Sequence, residues 1–375
     1  MKKSLTLIIL ILACSLTIKG QENTLVKKDS LYPYILPIWG QKVMDRGIDQ
    51  LRPFGLNLNY TYNSMDLYIS EFSLGIGDDP NSSLNQALEQ YVNLETLNFK
   101  NVSASTNGIN LRADMFLFPF LNVYGLYASN KGNTTVGLQP EWYNEDGDLL
   151  LSLPAFGSSV DFDANTLGIG TTLFYGVNDY FISSDINYSE STSDLLDDPV
   201  KLFVGSMRVG TQVHFKNPKR KLAVYVGGMF RNFVEAKGNK GNIKLNEVFP
   251  ELGSNVFPAI AQRTEANNVE IQANNLAIDA LDPNAPGYTQ KVGVLEAQNE
   301  VLIKKNEGLS ELDTAMQEIV SSEVNYEIKK ELINKWSVQF GFNFQINHSW
   351  MFRGEYGHVT GNTFLLTGLQ YRFGF

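Results

Sequence analysis

The chain has 375 residues and carries a formal net charge of −10. It contains one cysteine and three histidines, so the composition argues against a disulfide-stapled fold and a histidine-rich metal site. The acidic balance and the lack of a basic cluster argue against nucleic-acid binding. Phe and Tyr are abundant, at 23 and 17 residues, although no run after the first 20 residues is apolar enough for a membrane helix.

The first 20 residues have the pattern of a secretory signal peptide. Lys2 and Lys3 provide its positive start, and residues 5–18 form an apolar stretch that is too short for a membrane-spanning helix. We therefore expect residues 1–20 to be removed on export. Cys14 follows Ile-Leu-Ala, which loosely matches a lipid-attachment motif, so lipidation of Cys14 is the alternative interpretation.

Residues 21–52 precede the first strand pattern. We predict that they form an N-terminal segment that lies in the periplasm or inside the lumen, and that residues 53–375 form the membrane domain.

Ten segments alternate between apolar and polar residues with the period of two that is typical of a strand. The pattern is sharpest from Trp336 to Asn347, where every even position is apolar and every odd position is polar or glycine. We predict strands at about 54–64, 106–118, 121–129, 164–176, 179–189, 201–216, 221–234, 335–347, 349–358 and 363–375. The fold class is then all-β, a transmembrane antiparallel up-and-down barrel of ten strands. The segment 66–75 also alternates in part, and pairing with another weak segment would raise the count to twelve.

The last strand ends in an aromatic residue at the carboxyl terminus. Tyr371, Phe373 and Phe375 lie on one face, opposite Arg372. This strand resembles the terminal strand of Gram-negative outer-membrane β-barrels. The resemblance implies an outer-membrane location, contact with outer-membrane lipids, and recognition of Tyr371, Phe373 and Phe375 by the barrel-assembly machinery. The Gly-Gln pair after the leader also resembles exported proteins of the Bacteroidetes.

The connections between predicted strands alternate between short and long. If the last residue lies in the periplasm, the short turns are periplasmic, and the long connections 65–105, 130–163, 190–200 and 235–334 are extracellular, as such barrels prefer. The connection 235–334 is long enough to hold structure of its own. Apolar residues recur every three or four positions within it, which predicts a helical insertion. The predicted helices cover Val269 to Leu281 and Leu309 to Leu332.

Charged residues of both signs fall on the predicted lumen faces. They are Arg112, Asp114, Asp185, Arg208, Arg231, Arg353, Glu355 and Arg372. Rings of charge select permeant ions in channels, so one interpretation is an anion-selective constriction. The other is a salt-bridged plug, because barrels of about eight strands are filled by side chains and open pores begin near 16.

The sequence does not favour an enzyme. His348 and Ser349 are adjacent, so on a strand they point to opposite faces and cannot act as a nucleophile–base pair. Only His358 and Thr360 have the correct spacing, and a rim histidine explains them more simply. We expect no catalytic residue, metal or cofactor.

The sequence therefore favours an integral outer-membrane β-barrel that passes or binds small solutes. The alternative is a structural, adhesive or partner-docking protein that uses the insertion 235–334 to contact an extracellular or envelope protein.

Overall fold

The computed structural model describes residues 31–375 apart from 49, 78, 80, 145, 195, 197 and 235–238. The predicted leader 1–20, including Cys14, lies outside the described residues. The strands are β1 (Phe54–Gly75), β2 (Phe99–Phe118), β3 (Leu121–Leu138), β4 (Glu141–Tyr143), β5 (Leu149–Ser152), β6 (Phe156–Val177), β7 (Tyr180–Ser193), β8 (Val200–His214), β9 (Lys221–Phe233), β10 (Asn239–Lys244), β11 (Glu323–Leu332), β12 (Trp336–Gln345), β13 (Trp350–Val359) and β14 (Asn362–Phe373). The helices are α1 (Gly40–Met44), α2 (Ser83–Tyr91), α3 (Leu94–Leu97), α4 (Leu245–Val248), α5 (Pro250–Asp279) and α6 (Tyr288–Ser321).

Ten strands close into an antiparallel barrel. The sheet order is β10-β11-β1-β14-β13-β12-β9-β8-β7-β6-β3-β2, and the further pairing of β1 with β2 closes the ring without β10 and β11. The ten-strand prediction is therefore confirmed. The segment 66–75 is the upper part of β1, and beyond Met65, where β14 begins, β11 replaces β14 as its neighbour.

The wall of the barrel is apolar outside and polar inside. On β12, Trp336 and Val338 are 66% and 51% exposed, whereas the residues that follow each of them, Ser337 and Gln339, are 6% and 0% exposed. The alternation recurs around the ring, since Leu167 and Ile169 on β6 are 67% and 69% exposed. Such an apolar exterior is what a lipid-facing wall requires, and closure leaves no strand edge in lipid. Among the described residues, every helix is too short or too polar to cross a membrane.

The barrel has a short-turn end and a long-loop end. At the short-turn end, β6 and β7 are joined by Asn178 and Asp179, and Asn178 has φ 54, a left-handed conformation that asparagine tolerates. The N-terminal segment lies against this end, because the Ile35 N–H donates to the carbonyl of Phe375 (3.0 Å) and the Ile38 N–H donates to Leu117 (2.9 Å).

At the long-loop end, three connections pack into one unit that we call the cap. It consists of α2 and α3 after β1, the hairpin β4–β5 after β3, and α4, α5 and α6. Its core is fully apolar and includes Leu88, Trp142, Leu252, Leu312 and Met316. The indole of Trp142 donates to the carbonyl of Tyr91 (2.8 Å), which ties the hairpin to α2. The apolar residues at the start of the second predicted helix, from Leu309 to Ile319, are therefore buried above the rim, against two other loops.

The predicted helix from Leu309 to Leu332 extends too far. Helix α6 ends at Ser321, and Glu323–Leu332 is strand β11. Val324, Ile328 and Leu332 are 0%, 9% and 4% exposed. Their spacing of four is even, so it fits one face of a strand as well as one face of a helix.

Beyond the cap, α5 and α6 continue as an antiparallel two-helix coil. Two polar layers lie in its interface. Asn267 donates to Asn306 (2.8 Å), and Asn274 donates to Asn299 (2.9 Å). Asn267 and Asn274 are seven residues apart, as are Asn299 and Asn306, which is the heptad spacing of a coiled coil.

Candidate functional site: a charged layer across the lumen

All eight charged residues that the sequence placed in the lumen line a single cavity there. They are Arg112, Asp114, Asp185, Arg208, Arg231, Arg353, Glu355 and Arg372, and the cavity has a volume of about 1390 Å³. Seven of them, all except Arg231, belong to two groups of contacts, one around Asp114 and Asp185 and one around Glu355, which together we call the charged layer.

The first centre of the charged layer is Asp114 on β2, which is buried. It accepts hydrogen bonds from Arg372 (3.0 Å), Asn57 (2.8 Å), Asn122 (2.7 Å) and Gln370 (3.2 Å). These donors come from β14, β1 and β3, so one carboxylate joins four strands.

Arg372 also ties the layer to the N-terminal segment. Its Nε donates to the carbonyl of Arg52 (2.7 Å), and its Nη2 donates to the carbonyl of Pro53 (3.2 Å). Leu51 lines the same cavity. The segment that was predicted to lie in the periplasm or lumen thus supplies part of the floor of the lumen.

The second centre is Glu355 on β13, whose side chain is 2% exposed. It accepts from Arg208 Nη2 (3.1 Å) and from the Tyr225 hydroxyl (2.8 Å). With its amide in the orientation that satisfies both neighbours, Gln339 donates to Glu355 Oε1 (2.9 Å) and accepts from Arg208 Nε (3.2 Å). Arg353 lies at 4.0 Å on the other side.

The third centre is Asp185 on β7. It accepts from the hydroxyls of Tyr124 (2.9 Å) and Thr172 (2.6 Å). The guanidinium of Arg112 stacks on the Tyr124 ring at 3.5 Å from its centroid and donates to Asn122 (3.0 Å). The sequence analysis did not identify the neutral residues that bind these charges, because neutral polar residues are common on any lumen face. They are Asn57, Asn122, Tyr124, Tyr225 and Gln339.

Above the charged layer, the lumen opens into an upper chamber that ends beneath the cap. Its wall is mixed, since β7 contributes Ser189 and Ser191, whereas β6 contributes Val160, Phe162 and Thr166. Leu67, Val102 and Leu332 form a buried cluster there, with Phe99 and Phe233 packed against it. Phe249, beside the cap core, also lines the cavity.

The predicted rim histidine lies outside the lumen. His358 is exposed on the outer face of β13, where its ring stacks on Tyr356, and its Nδ1 lies 3.0 Å from the Thr363 hydroxyl rather than against Thr360. Groups of three or more potential metal ligands do not occur among the described residues.

No protein-family model and no curated protein sequence matches the chain. Among solved structures, it is similar to the β-domain of the Bordetella autotransporter BrkA, with 8% identity, a TM-score of 0.31, and coverage of 85% of this chain and 100% of that one. It is also similar to the outer membrane protein OprG from Pseudomonas aeruginosa, with 8% identity, a TM-score of 0.34, and coverage of 87% and 99%. The translocator domain of the autotransporter NalP from Neisseria meningitidis matches with 8% identity, a TM-score of 0.31, and coverage of 87% and 90%.

These neighbours are outer-membrane β-barrels of Gram-negative bacteria, as the terminal strand predicted. Likenesses this distant carry no functional information, so the conclusions rest on the geometry of this chain. The closed ring, the apolar exterior and the polar lumen are those of an integral β-barrel of the outer-membrane type. The relation to Bacteroidetes proteins stays a prediction.

Proposed function

We propose that the barrel binds a small solute in the upper chamber, and that the charged layer beneath the chamber controls its passage. The observation that supports this proposal is the lumen cavity of about 1390 Å³. Pockets for small molecules commonly have volumes of roughly 300–1,000 Å³, so the lumen has room for such a solute.

The charged layer supports the passage part of the proposal because its charged side chains come from β2, β7, β8, β13 and β14 and line the lumen cavity. The side chains of Asp114 and Glu355 are 1% and 2% exposed, so little water reaches them. On this proposal the layer is a floor beneath the solute, and passage requires contacts such as Arg208–Glu355 to separate. The plug interpretation and the solute interpretation are compatible on this view.

Conductance in planar bilayers tests the floor. We expect the wild-type barrel to show little conductance, and the double variant Arg208→Ala/Glu355→Ala to show stable open channels. The pair Lys329→Ala/Glu71→Ala is a matched control, because this ion pair (2.6 Å) joins β11 to β1 outside the closed ring. A wild-type protein that already conducts as an open pore would show that the layer does not close the lumen.

Thiol labelling tests entry into the chamber. Cys14 is the only cysteine of the chain, so Ser191→Cys in a Cys14→Ser background places a single thiol in the chamber wall. We expect a small water-soluble thiol reagent to label it in the folded barrel. Failure to label folded protein, with full labelling after denaturation, would mean that solutes of this size do not enter.

Partner docking by the insertion is the second candidate function. The two-helix coil exposes apolar residues at heptad spacing, with Val269 and Leu276 on α5 at 56% and 70% exposure, and Val294 and Val301 on α6 at 53% and 44%. An apolar stripe on a projecting coil is a suitable surface for a helical partner. A pull-down with the folded protein, compared with the variant Val269→Ser/Leu276→Ser, tests this function.

A further inference from the structure

Arg231 on β9 is a buried cation in the lumen wall, and no carboxylate oxygen of the described residues lies within 4.0 Å of it. It is 5% exposed and lines the cavity. Its Nε lies 3.1 Å from the sulfur of Met229, and its Nη1 lies 3.4 Å from Asn362 Oδ1. Its guanidinium also lies over the Phe364 ring, 4.9 Å from the centroid. These neutral contacts replace only part of the hydration that a buried guanidinium loses.

Two other lumen arginines have a carboxylate that balances their charge. Arg372 and Arg208 each lie within about 3 Å of a carboxylate oxygen, at 3.0 Å and 3.1 Å. The described charged side chains that line the cavity comprise five arginines, four lysines and six carboxylates, which leaves a net positive lumen in a protein of net charge −10. An anion from solution would supply the negative charge that the protein does not place beside Arg231, because an uncompensated buried charge is costly.

The surroundings of Arg231 on the chamber side are apolar. Phe233, two residues further along the same face of β9, packs against the cluster of Leu67, Val102 and Leu332. Leu67, Leu332 and Phe233 line the same cavity as Arg231, so an apolar wall lies next to the guanidinium.

A second unpaired cation borders the same space. Lys330 lies two residues before Leu332 on the same face of β11, lines the cavity, and has no carboxylate oxygen within 4.0 Å among the described residues. β11 lies outside the closed ring, and burial lowers the pKa of Lys330 below its usual value. Three more carboxylates line the cavity, Asp194, Asp198 and Glu331, and none of them lies within 4.0 Å of the Arg231 guanidinium or the Lys330 amine.

We infer that the upper chamber binds an amphipathic anion, with its acid group on Arg231 and its apolar body against Phe233, Leu67 and Leu332. This inference rests on the proposed function and specifies its solute class. A carboxylate or sulfonate accepts the guanidinium hydrogen bonds that the protein leaves incomplete, and an apolar chain excludes water from the cluster.

Equilibrium dialysis of the full-length barrel in phosphatidylcholine nanodiscs tests the inference, with empty nanodiscs as the blank. The probes are octanoate, octan-1-ol and octyltrimethylammonium, which share the chain and differ in the head group. We expect octanoate to bind best, and Arg231→Met to weaken octanoate binding roughly ten-fold or more while it leaves octan-1-ol unchanged. Arg231→Lys keeps the charge and should retain the preference for the acid.

The matched control is Arg220→Met, since Arg220 is exposed in the turn between β8 and β9. Heat-dependent gel mobility confirms that each variant is folded, and Arg231→Met should fold because it removes an unpaired buried charge. Equal binding of octanoate and octan-1-ol, or octanoate binding that survives Arg231→Met, would overturn the anion inference and leave solute binding intact. No binding of any octyl probe would also overturn it, while Ser191→Cys labelling would still report separately on entry into the chamber.

Discussion

Arg208 on β8 and Glu355 on β13 meet across the lumen at 3.1 Å, although β9 and β12 lie between their strands in the wall. Gln339 on β12 and Tyr225 on β9 contact the same carboxylate from the intervening strands. A single buried carboxylate thus links four strands by side chains, in addition to the backbone pairing of the wall.

Removal of Glu355 should destabilise the barrel strongly. Glu355→Ala leaves Arg208 buried without its partner and leaves the Tyr225 hydroxyl without an acceptor, so we expect a loss of about 3–5 kcal/mol in the free energy of unfolding. Urea titration of the protein in lipid vesicles measures it. Glu71→Ala is the control, because Glu71 is 68% exposed in its pair with Lys329 and such pairs contribute less than about 1 kcal/mol. Losses of equal size would show that the lumen layer is hydrated.

Neighbouring residues of β6 face lipid and lumen in turn, so the same substitution at two adjacent positions should have effects of different size. Leu167 is 67% exposed on the lipid side, and Thr166 lines the lumen, where it bonds to Ser191 (2.8 Å). Leu167→Arg should destabilise the barrel by roughly 2–4 kcal/mol, because an arginine in the lipid-facing band loses its hydration. Thr166→Arg should change stability much less. Both variants are measured by the same urea titration, and a larger effect of Thr166→Arg would mean that the two faces are reversed.

The barrel was predictable from the sequence because each strand has one face toward lipid and one toward the lumen, so apolar and polar residues alternate along it. Trp336 and Gln339 illustrate this, because their even and odd positions in the alternating pattern are enough to place Trp336 toward lipid and Gln339 toward the lumen. The end of the helical insertion was not predictable, because the spacing of Val324, Ile328 and Leu332 fits both helix and strand. Pairing with Leu67–Gly75 of β1 decides the outcome, and it joins residues more than 200 positions apart.

The cap and the site at Arg231 depend on non-local contacts. Leu88, Trp142 and Met316 come from three different connections, and nothing periodic relates them. Parity places Arg231 in the lumen together with four other arginines. Only the positions of the carboxylates on other strands show that none of the described ones lies within 4.0 Å of Arg231.

The last residue should matter more for assembly than for stability. Phe375 is 70% exposed, and its ring contacts Phe54 and Phe373, each at 5.4 Å between centroids. If the terminal strand is an assembly signal, Phe375→Ala should lower the amount of heat-modifiable barrel in cells several-fold, while refolded protein keeps nearly normal stability. Phe120→Ala is the control, since Phe120 is also an exposed aromatic at the short-turn end. Equal assembly of both variants would argue against a recognition role for Phe375.

A shortened coil should separate the two candidate functions. Deletion of 268–305, with Asn267 and Asn306 joined by a short Gly/Ser loop, removes the distal coil and its exposed apolar stripe. Asn267 and Asn306 already lie 2.8 Å apart between side chains, so the new turn has little distance to span. The variant keeps β10, β11 and the cap core, including Leu252 and Leu309.

We expect this variant to insert normally and to bind octanoate as the wild type does, because the chamber lies below the cap. Any protein captured by the wild-type coil in a pull-down should be lost. A deletion that includes β10 and β11 is the informative contrast, because it exposes the upper edge of β1 and removes Lys330 and Leu332 from the chamber. Loss of octanoate binding in the short-coil variant would contradict the position of the chamber and would assign the coil a direct part in solute binding.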